Sequence, residues 1–163
     1  MQKNINEETK TELKQIIFID SAESHYVEIP LNYNMTNLSG TNNIGKTSKL
    51  NFLAFSLSGY SNFSNASKKL SGGIENYDKI GSYKHYFPSS SSSIILEVNN
   101  NEGDFCIIIL GTDPNNCALS YCFVPLPYSV VSKWFIDELT GVTKIKTPEI
   151  LIKVKENKGH ISD

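Results

Sequence analysis

The residues with the clearest chemical purpose lie between Gly40 and Ser48. The run Gly40-Thr41-Asn42-Asn43-Ile44-Gly45-Lys46-Thr47-Ser48 fits G-x-x-x-x-G-K-[ST], a loop that wraps backbone around phosphate. Gly40 and Gly45 allow backbone angles that other residues resist. Successive backbone N–H groups then converge on phosphate oxygens as an anion nest. Lys46 brings a compact positive charge to the β and γ phosphates, and the Thr47 hydroxyl is placed to ligate Mg²⁺. A helix starting here adds its positive end. The nine residues Gly40, Thr41, Asn42, Asn43, Ile44, Gly45, Lys46, Thr47 and Ser48 are therefore the candidate nucleotide contacts, Thr47 the candidate metal ligand, and ATP with Mg²⁺ the implied cofactors.

Such a loop needs a strand before it and a helix after it. Before it lies Asn34–Ser39, a short, rather polar strand candidate. After it comes a helical pattern from Lys46 to Leu57, in which Leu50, Leu53, Ala54 and Leu57 share one face. The bland alternative is a Gly/Asn-rich turn ahead of an ordinary amphipathic helix.

The remaining elements must position this loop. Leu13–Asp20 reads as a first strand and His25–Leu31 as its hairpin partner across a turn at Ser21–Ser24. Ile16–Asp20 superficially matches an apolar strand ending in a metal-binding Asp, but its place ahead of the loop favours a core strand. Ser58–Gly73 is rich in Ser, Asn and Gly and reads as a surface excursion, with Lys68 and Lys69 as a solvated pair. Three strands follow closely at Ser93–Val98, Phe105–Leu110 and Leu119–Val124, and their short connections make them an antiparallel meander. Tyr128–Leu139 reads as a helix with Val130, Val131, Trp134 and Phe135 as its apolar stripe. Thr147–Val154 reads as a last strand or an incipient helix. Ile95, Phe105, Ile107, Ile109, Phe123 and Trp134 are the expected core.

The fold class is thus α/β, one domain with the parts 1–12 (flexible tail), 13–57 (strands, loop and helix), 58–92 (variable loops), 93–124 (meander) and 128–163 (helix and C-terminal segment). The 163 residues suffice for one domain with a real core. No run of 18 apolar residues exists, and Met1–Lys14 has no apolar signal-peptide centre, so the expectation is a cytoplasmic chain without a membrane span. A net charge of −2 gives no global attraction to nucleic acid. All 15 basic residues are lysines, so the chain itself supplies no arginine finger. Cys106, Cys117 and Cys122 form no CxxC pair, which argues against a disulfide framework or zinc site, and Cys106 and Cys122 read as buried apolar groups.

The element order resembles the N-terminal lobe of an ABC-type ATPase head, a P-loop NTPase fold with a mixed sheet and an antiparallel β-meander. Ile16–Leu31 is similar to the opening hairpin of SMC proteins (structural maintenance of chromosomes). Leu38–Leu50 is similar to their nucleotide loop, in which Asn-Asn or Asn-Gly precedes x-Gly-Lys. Tyr86-Phe87-Pro88, Ile94–Glu97, Phe105-Cys106 and Phe123-Val124-Pro125-Leu126-Pro127-Tyr128 resemble the MukB/MksB/JetC branch, which belongs to bacterial condensins and the Wadjet plasmid-defence system. The resemblance covers roughly residues 13 to 140. It implies ATP binding by a head that acts on DNA and is completed by a C-terminal half and a second head. It also implies a signature motif, a metal-binding acidic strand and a catalytic glutamate in that other half. Leu70-Ser71-Gly72-Gly73-Ile74 only approaches the signature, and Gln2 and Gln15, the only glutamines, precede the loop. The chain is thus expected to be a truncated, fragmentary or split N-terminal lobe, incomplete for hydrolysis. Glu97 and Asp113 follow the loop but are expected to be solvent-facing hairpin carboxylates. The alternatives are a non-catalytic nucleotide- or partner-binding module and a small stand-alone NTPase. A GTPase would need an N-K-x-D run and a small kinase a lid with arginines, and neither is present.

Overall fold

Ser-Ile-Ile-Leu-Glu-Val, at 93–98, has no polar alternation, which is the pattern of a strand covered on both faces. The computed structural model, which describes residues 11–31, 49–50, 52–53, 83–137, 141–142 and 145–162, places this strand near the centre of the sheet, with every residue from Ser93 to Val98 buried. The strands are β1 (Glu12–Ser21), β2 (Ser24–Pro30), β3 (Ser93–Asn100), β4 (Gly103–Asp113), β5 (Ala118–Val124), β6 (Ile136–Asp137), β7 (Gly141–Val142) and β8 (His160–Ser162). Six form one sheet in the order β2-β1-β3-β4-β5-β8, and β6 with β7 form a separate small hairpin. Every pairing among the described residues is antiparallel. The chain is therefore α/β with a mostly antiparallel sheet. The 1–10 tail, the Asn34–Ser39 strand, the Gly40–Ser48 loop and the Ser58–Gly73 excursion lie outside the described residues.

Two cores follow from the period of the strands. On the first face lie Ile16, Phe18, Ile94, Leu96, Val98 and Ile109, covered by Phe52, Tyr83, Tyr86 and Phe87. On the second lie Ile17, Ile19, Ile95, Cys106, Ile108, Leu110, Cys122 and Val124, covered by Tyr128, Val131, Phe135, Ile150 and Val154. Cys106, Cys117 and Cys122 are buried thiols, as the apolar reading of the first and last expects. Burial drives the Cys106 thiol up to about 12, so it behaves as an apolar group. Gly111 has a steric role: a side chain there would meet the Tyr83 hydroxyl at 2.5 Å and the Phe87 ring at 2.9 Å.

The C-terminal region departs from expectation. The helix foreseen over Tyr128–Leu139 is only α1 (Tyr128–Val131) and a 3-10 turn (Ser132–Trp134), after which Ile136 and Asp137 enter the β6–β7 hairpin. Tight i→i+3 geometry brings Val131 and Phe135 onto the sheet but leaves Val130 exposed. Thr147–Val154 resolves as helix, not strand: α2 spans Thr147–Glu156, with Pro148 in its first turn, Glu149 near its N-terminus and Lys153 and Lys155 near its C-terminus. Ile150 and Val154, four residues apart, are its buried contacts. The polar tail expected beyond it contains β8, which pairs with β5 through Phe123↔His160. Of the expected core, Ile95 and Ile109 are buried, Phe105, Ile107 and Trp134 are partly buried, and Phe123 is 40% exposed. Phe123 faces away from its buried neighbours Cys122 and Val124, beside the sheet edge at β8.

Candidate functional site

Gly40–Ser48, with Lys46 and Thr47, lies outside the described residues, so the site is approached from its flanks. Upstream, the chain leaves β2 at Pro30, and the Leu31 N–H donates to the Lys14 carbonyl at 2.7 Å. Downstream, residues 49–50 and 52–53 are helical directly after Ser48. Phe52 anchors them on the first sheet face. Its ring lies 6.2 Å from Phe18, 4.7 Å from Tyr86 and 6.0 Å from Phe87, mostly in edge-on geometry.

Of the expected stripe, Ala54 and Leu57 lie outside the described residues, and Leu50 departs from it. Leu50 is 49% exposed, Leu53 is partly buried, and Phe52 and Lys49 face inward. Lys49 is only 7% exposed, with its ammonium 5.9 Å above the Phe18 ring. Its long stem packs as hydrocarbon while the charge meets an aromatic face. Burial lowers its pKa below the ordinary 10.5, partly opposed by the Glu23 charge.

Beside Lys49 stands the β1–β2 corner. Ser21 faces Ser24 in the register, so Ala22 and Glu23 form a two-residue turn with φ of 50° and 60°. These left-handed angles define a type I′ turn, which favours Asn-Gly. Asp20 is also left-handed, at φ 46°. Nearby contacts hold the corner. The Ala22 N–H donates to the His85 carbonyl at 3.0 Å. Asp20 accepts from Ser89 Oγ at 2.6 Å and Ser91 Oγ at 3.1 Å. His85 Nδ1 lies 3.8 Å from Glu23 Oε1.

Glu97 and Asp113 sit differently from one another. Asp113 caps its own turn, accepting from the Asn115 N–H at 2.8 Å and the Asn116 side chain at 2.6 Å. Glu97 is not the solvent-facing carboxylate expected: it is 5% exposed, accepting from the Tyr128 N–H and the Gln15 amide, each at 2.7 Å. It thereby ties α1 to β1. Beside it the Tyr128 hydroxyl hydrogen-bonds Tyr26 at 2.8 Å, and Tyr26 bonds Glu28. Burial, helped by the Glu28 hydrogen bond, moves Tyr26 up to about 12.

Sequence reasoning missed the Glu23–Lys49–His85 corner and the buried role of Glu97. The turn at Ser21–Ser24 is as expected, but no residue pattern marks its meeting with Lys49 and His85, and a single Glu in a strand reads as solvated. Among the described residues, no group of three His, Cys, Asp or Glu side chains gathers as a metal site, and no helix is long and apolar enough to cross a membrane. Comparison with protein families, curated proteins and solved structures finds no match to the chain.

Proposed function

We propose that this chain is the ATP-binding N-terminal lobe of an SMC-like P-loop ATPase that acts on DNA in the cytoplasm. One observation carries the reading: the G-x-x-x-x-G-K-[ST] run at Gly40–Ser48 leads straight into helical residues whose Phe52 is seated on β1. The opening β1–β2 hairpin and the β3–β4–β5 meander are consistent with the head lobe that the sequence resembles.

In this reading Gly40, Thr41, Asn42, Asn43, Ile44, Gly45 and Ser48 offer backbone N–H groups to phosphate, and Lys46 adds its charge. Thr47 is the residue that would ligate Mg²⁺, which would neutralise phosphate charge. Lys-only basic chemistry leaves the groups against the γ-phosphate to other chains, namely a C-terminal head half and a second head. DNA is engaged by the full assembly.

Calorimetry with Mg-ATP on the wild type and Lys46→Ala tests the nucleotide site. Loss of a charge-assisted phosphate contact is worth about 1.5–3 kcal/mol, so affinity should fall roughly ten- to a hundredfold. Equal affinities would remove the nucleotide assignment and leave a partner-binding module. Phosphate release by the isolated chain should stay at background and rise when a complementary head half is added. Turnover by the isolated chain that disappears in Lys46→Ala would instead identify a small stand-alone NTPase.

A further inference from the structure

His85 sits where three unusual features meet. Its carbonyl holds the left-handed Ala22 of the β1–β2 turn, and its ring stands edge-on to Tyr86 at 5.0 Å. Its Nδ1 faces the Glu23 carboxylate at 3.8 Å, while Nε2 is buried with no hydrogen-bond partner among the described residues. A neutral imidazole tolerates that arrangement by leaving Nε2 as an unprotonated acceptor. An imidazolium does not, because both nitrogens then carry protons and one points into a buried site without an acceptor.

Among the described residues, the charged groups facing His85 are Glu23 from the β1–β2 turn and Lys49 from the helical segment. Glu23 is largely exposed, so its attraction is weakened by water, whereas Lys49 is buried and its repulsion is screened less. Burial is the main cause that holds His85 below its ordinary 6.5; Glu23 pulls it back up and Lys49 adds to the depression.

We propose that His85 is an acid-operated catch that locks the 83–87 turn onto the β1–β2 corner when neutral and releases it when protonated. The turn carries Tyr83, Tyr86 and Phe87, the aromatic cover over β1, β3 and β4. Tyr86 and Phe87 also clamp Phe52. Release therefore loosens the seat of Phe52. The strained Ala22–Glu23 turn favours the change, since its left-handed angles are held in place partly by the bond that His85 accepts. The catch stands independently of the nucleotide reading.

The sign follows from linkage. The open state binds the proton more readily than the closed one, so closure is complete above 6.5 and weakens as pH falls toward the depressed pKa of the closed state. Each unit by which the pKa is depressed raises the opening equilibrium about tenfold. Hydrogen-exchange protection of the Ala22 amide in the full chain, corrected for intrinsic rates across this pH range, is the measurement, alongside NMR titration of the His85 ring. Ala22 protection should fall in one transition that coincides with the ring titration, while protection at Ile108 stays constant. Glu23→Gln should move the transition to lower pH, and Lys49→Met should move it to higher pH. His85→Phe should remove it. If His85→Phe does not fold, the opposite shifts of the other two variants decide. A ring that titrates with no change at Ala22, or an Ala22 transition unmoved by Glu23→Gln and Lys49→Met, would overturn the proposal.

Discussion

The two faces of the sheet are built by different means. The second face is closed by α1, the following 3-10 turn and α2, all from the continuous stretch after β5. Its contacts are mostly aliphatic and thiol groups with Tyr128 and Phe135, and its buried Glu97 side chain is hydrogen-bonded by Tyr128 and Gln15. The first face is covered by Phe52 and Leu53 and by Tyr83, Tyr86 and Phe87, which are distant in sequence, and its cover is mostly aromatic. It also contains a buried ammonium, a histidine with an unmatched nitrogen and a left-handed corner. The difference separates roles. The second face secures the sheet by continuous packing, although the Ser93 hydroxyl on it is buried without a hydrogen-bond partner; the first accepts a left-handed corner and a buried lysine.

The largest test of this contrast is truncation of one buried aromatic on each side. Phe135→Ala, on the second face, should cost roughly 3–5 kcal/mol of global stability, read as a shift in urea midpoint. Phe52→Ala should fall at the low end, about 3 kcal/mol, because a cover built from separate segments relaxes more readily around a cavity. Increased hydrogen exchange should be confined to residues 83–87 and the β1–β2 corner. A Phe52→Ala loss larger than that of Phe135→Ala would reverse the ranking of the faces.

Next comes the buried carboxylate. Glu97→Ala leaves the Tyr128 N–H and the Gln15 amide without their acceptor, at a cost of about 1.5–3 kcal/mol, measured by the same denaturation. Glu97→Gln keeps one acceptor oxygen and should cost less. Equal losses in the two variants would mean that charge, not hydrogen bonding, joins α1 to the sheet.

The central strands were legible because continuous apolar runs leave few options. Ser93–Val98, Phe105–Leu110 and Leu119–Val124 each lie within an observed strand, and the pairing of β1 with β2 followed from one short turn. The elements that escaped are made by contacts, not patterns. His160-Ile161-Ser162 has one apolar residue; it becomes β8 because left-handed Lys158 and close-packed Gly159 fold it back against β5. The Phe123 face was misjudged because alternation shows that two sides differ but not which has a covering layer. The G-x-x-x-x-G-K-[ST] pattern at Gly40–Ser48 is wholly local and lies outside the described residues. The Glu23–Lys49–His85 corner depends on three distant segments meeting, and no spacing records that.

A smaller effect should come from Phe123, which is 40% exposed and makes a tilted contact with Phe105 at 5.0 Å between ring centres. Phe123→Ala should cost about 1 kcal/mol, the scale of an aromatic pair outside a closed core. A loss near that of Phe135→Ala would show that this face of β5 is buried in solution.

The smallest effect belongs to the rim where the two faces meet. The irregularity between Leu13 and Gln15 leaves Lys14 out of register with β3, and its ammonium reaches across to Asp104 on β4 at 2.7 Å. Asn99, on the strand between, donates to the other Asp104 oxygen at 2.6 Å. The Lys14 bond, then Asn99, holds Asp104 below its ordinary 3.8, and the Asp104 bond raises Lys14 above its ordinary 10.5. The pair's stability is therefore present between those ordinary values. It is lost as pH falls through the depressed Asp104 pKa or rises through the elevated Lys14 pKa. Both groups lie in water, so a double-mutant cycle with Lys14→Met and Asp104→Asn should give a coupling of about 0.2–1 kcal/mol. The coupling should shrink in 1 M salt, where the Debye length is about 3 Å. A larger, salt-insensitive coupling would make this rim a second polar anchor beside Glu97. The bulge at Lys14 would then secure the sheet as Glu97 does, and the division of labour between the two faces would extend to their shared edge.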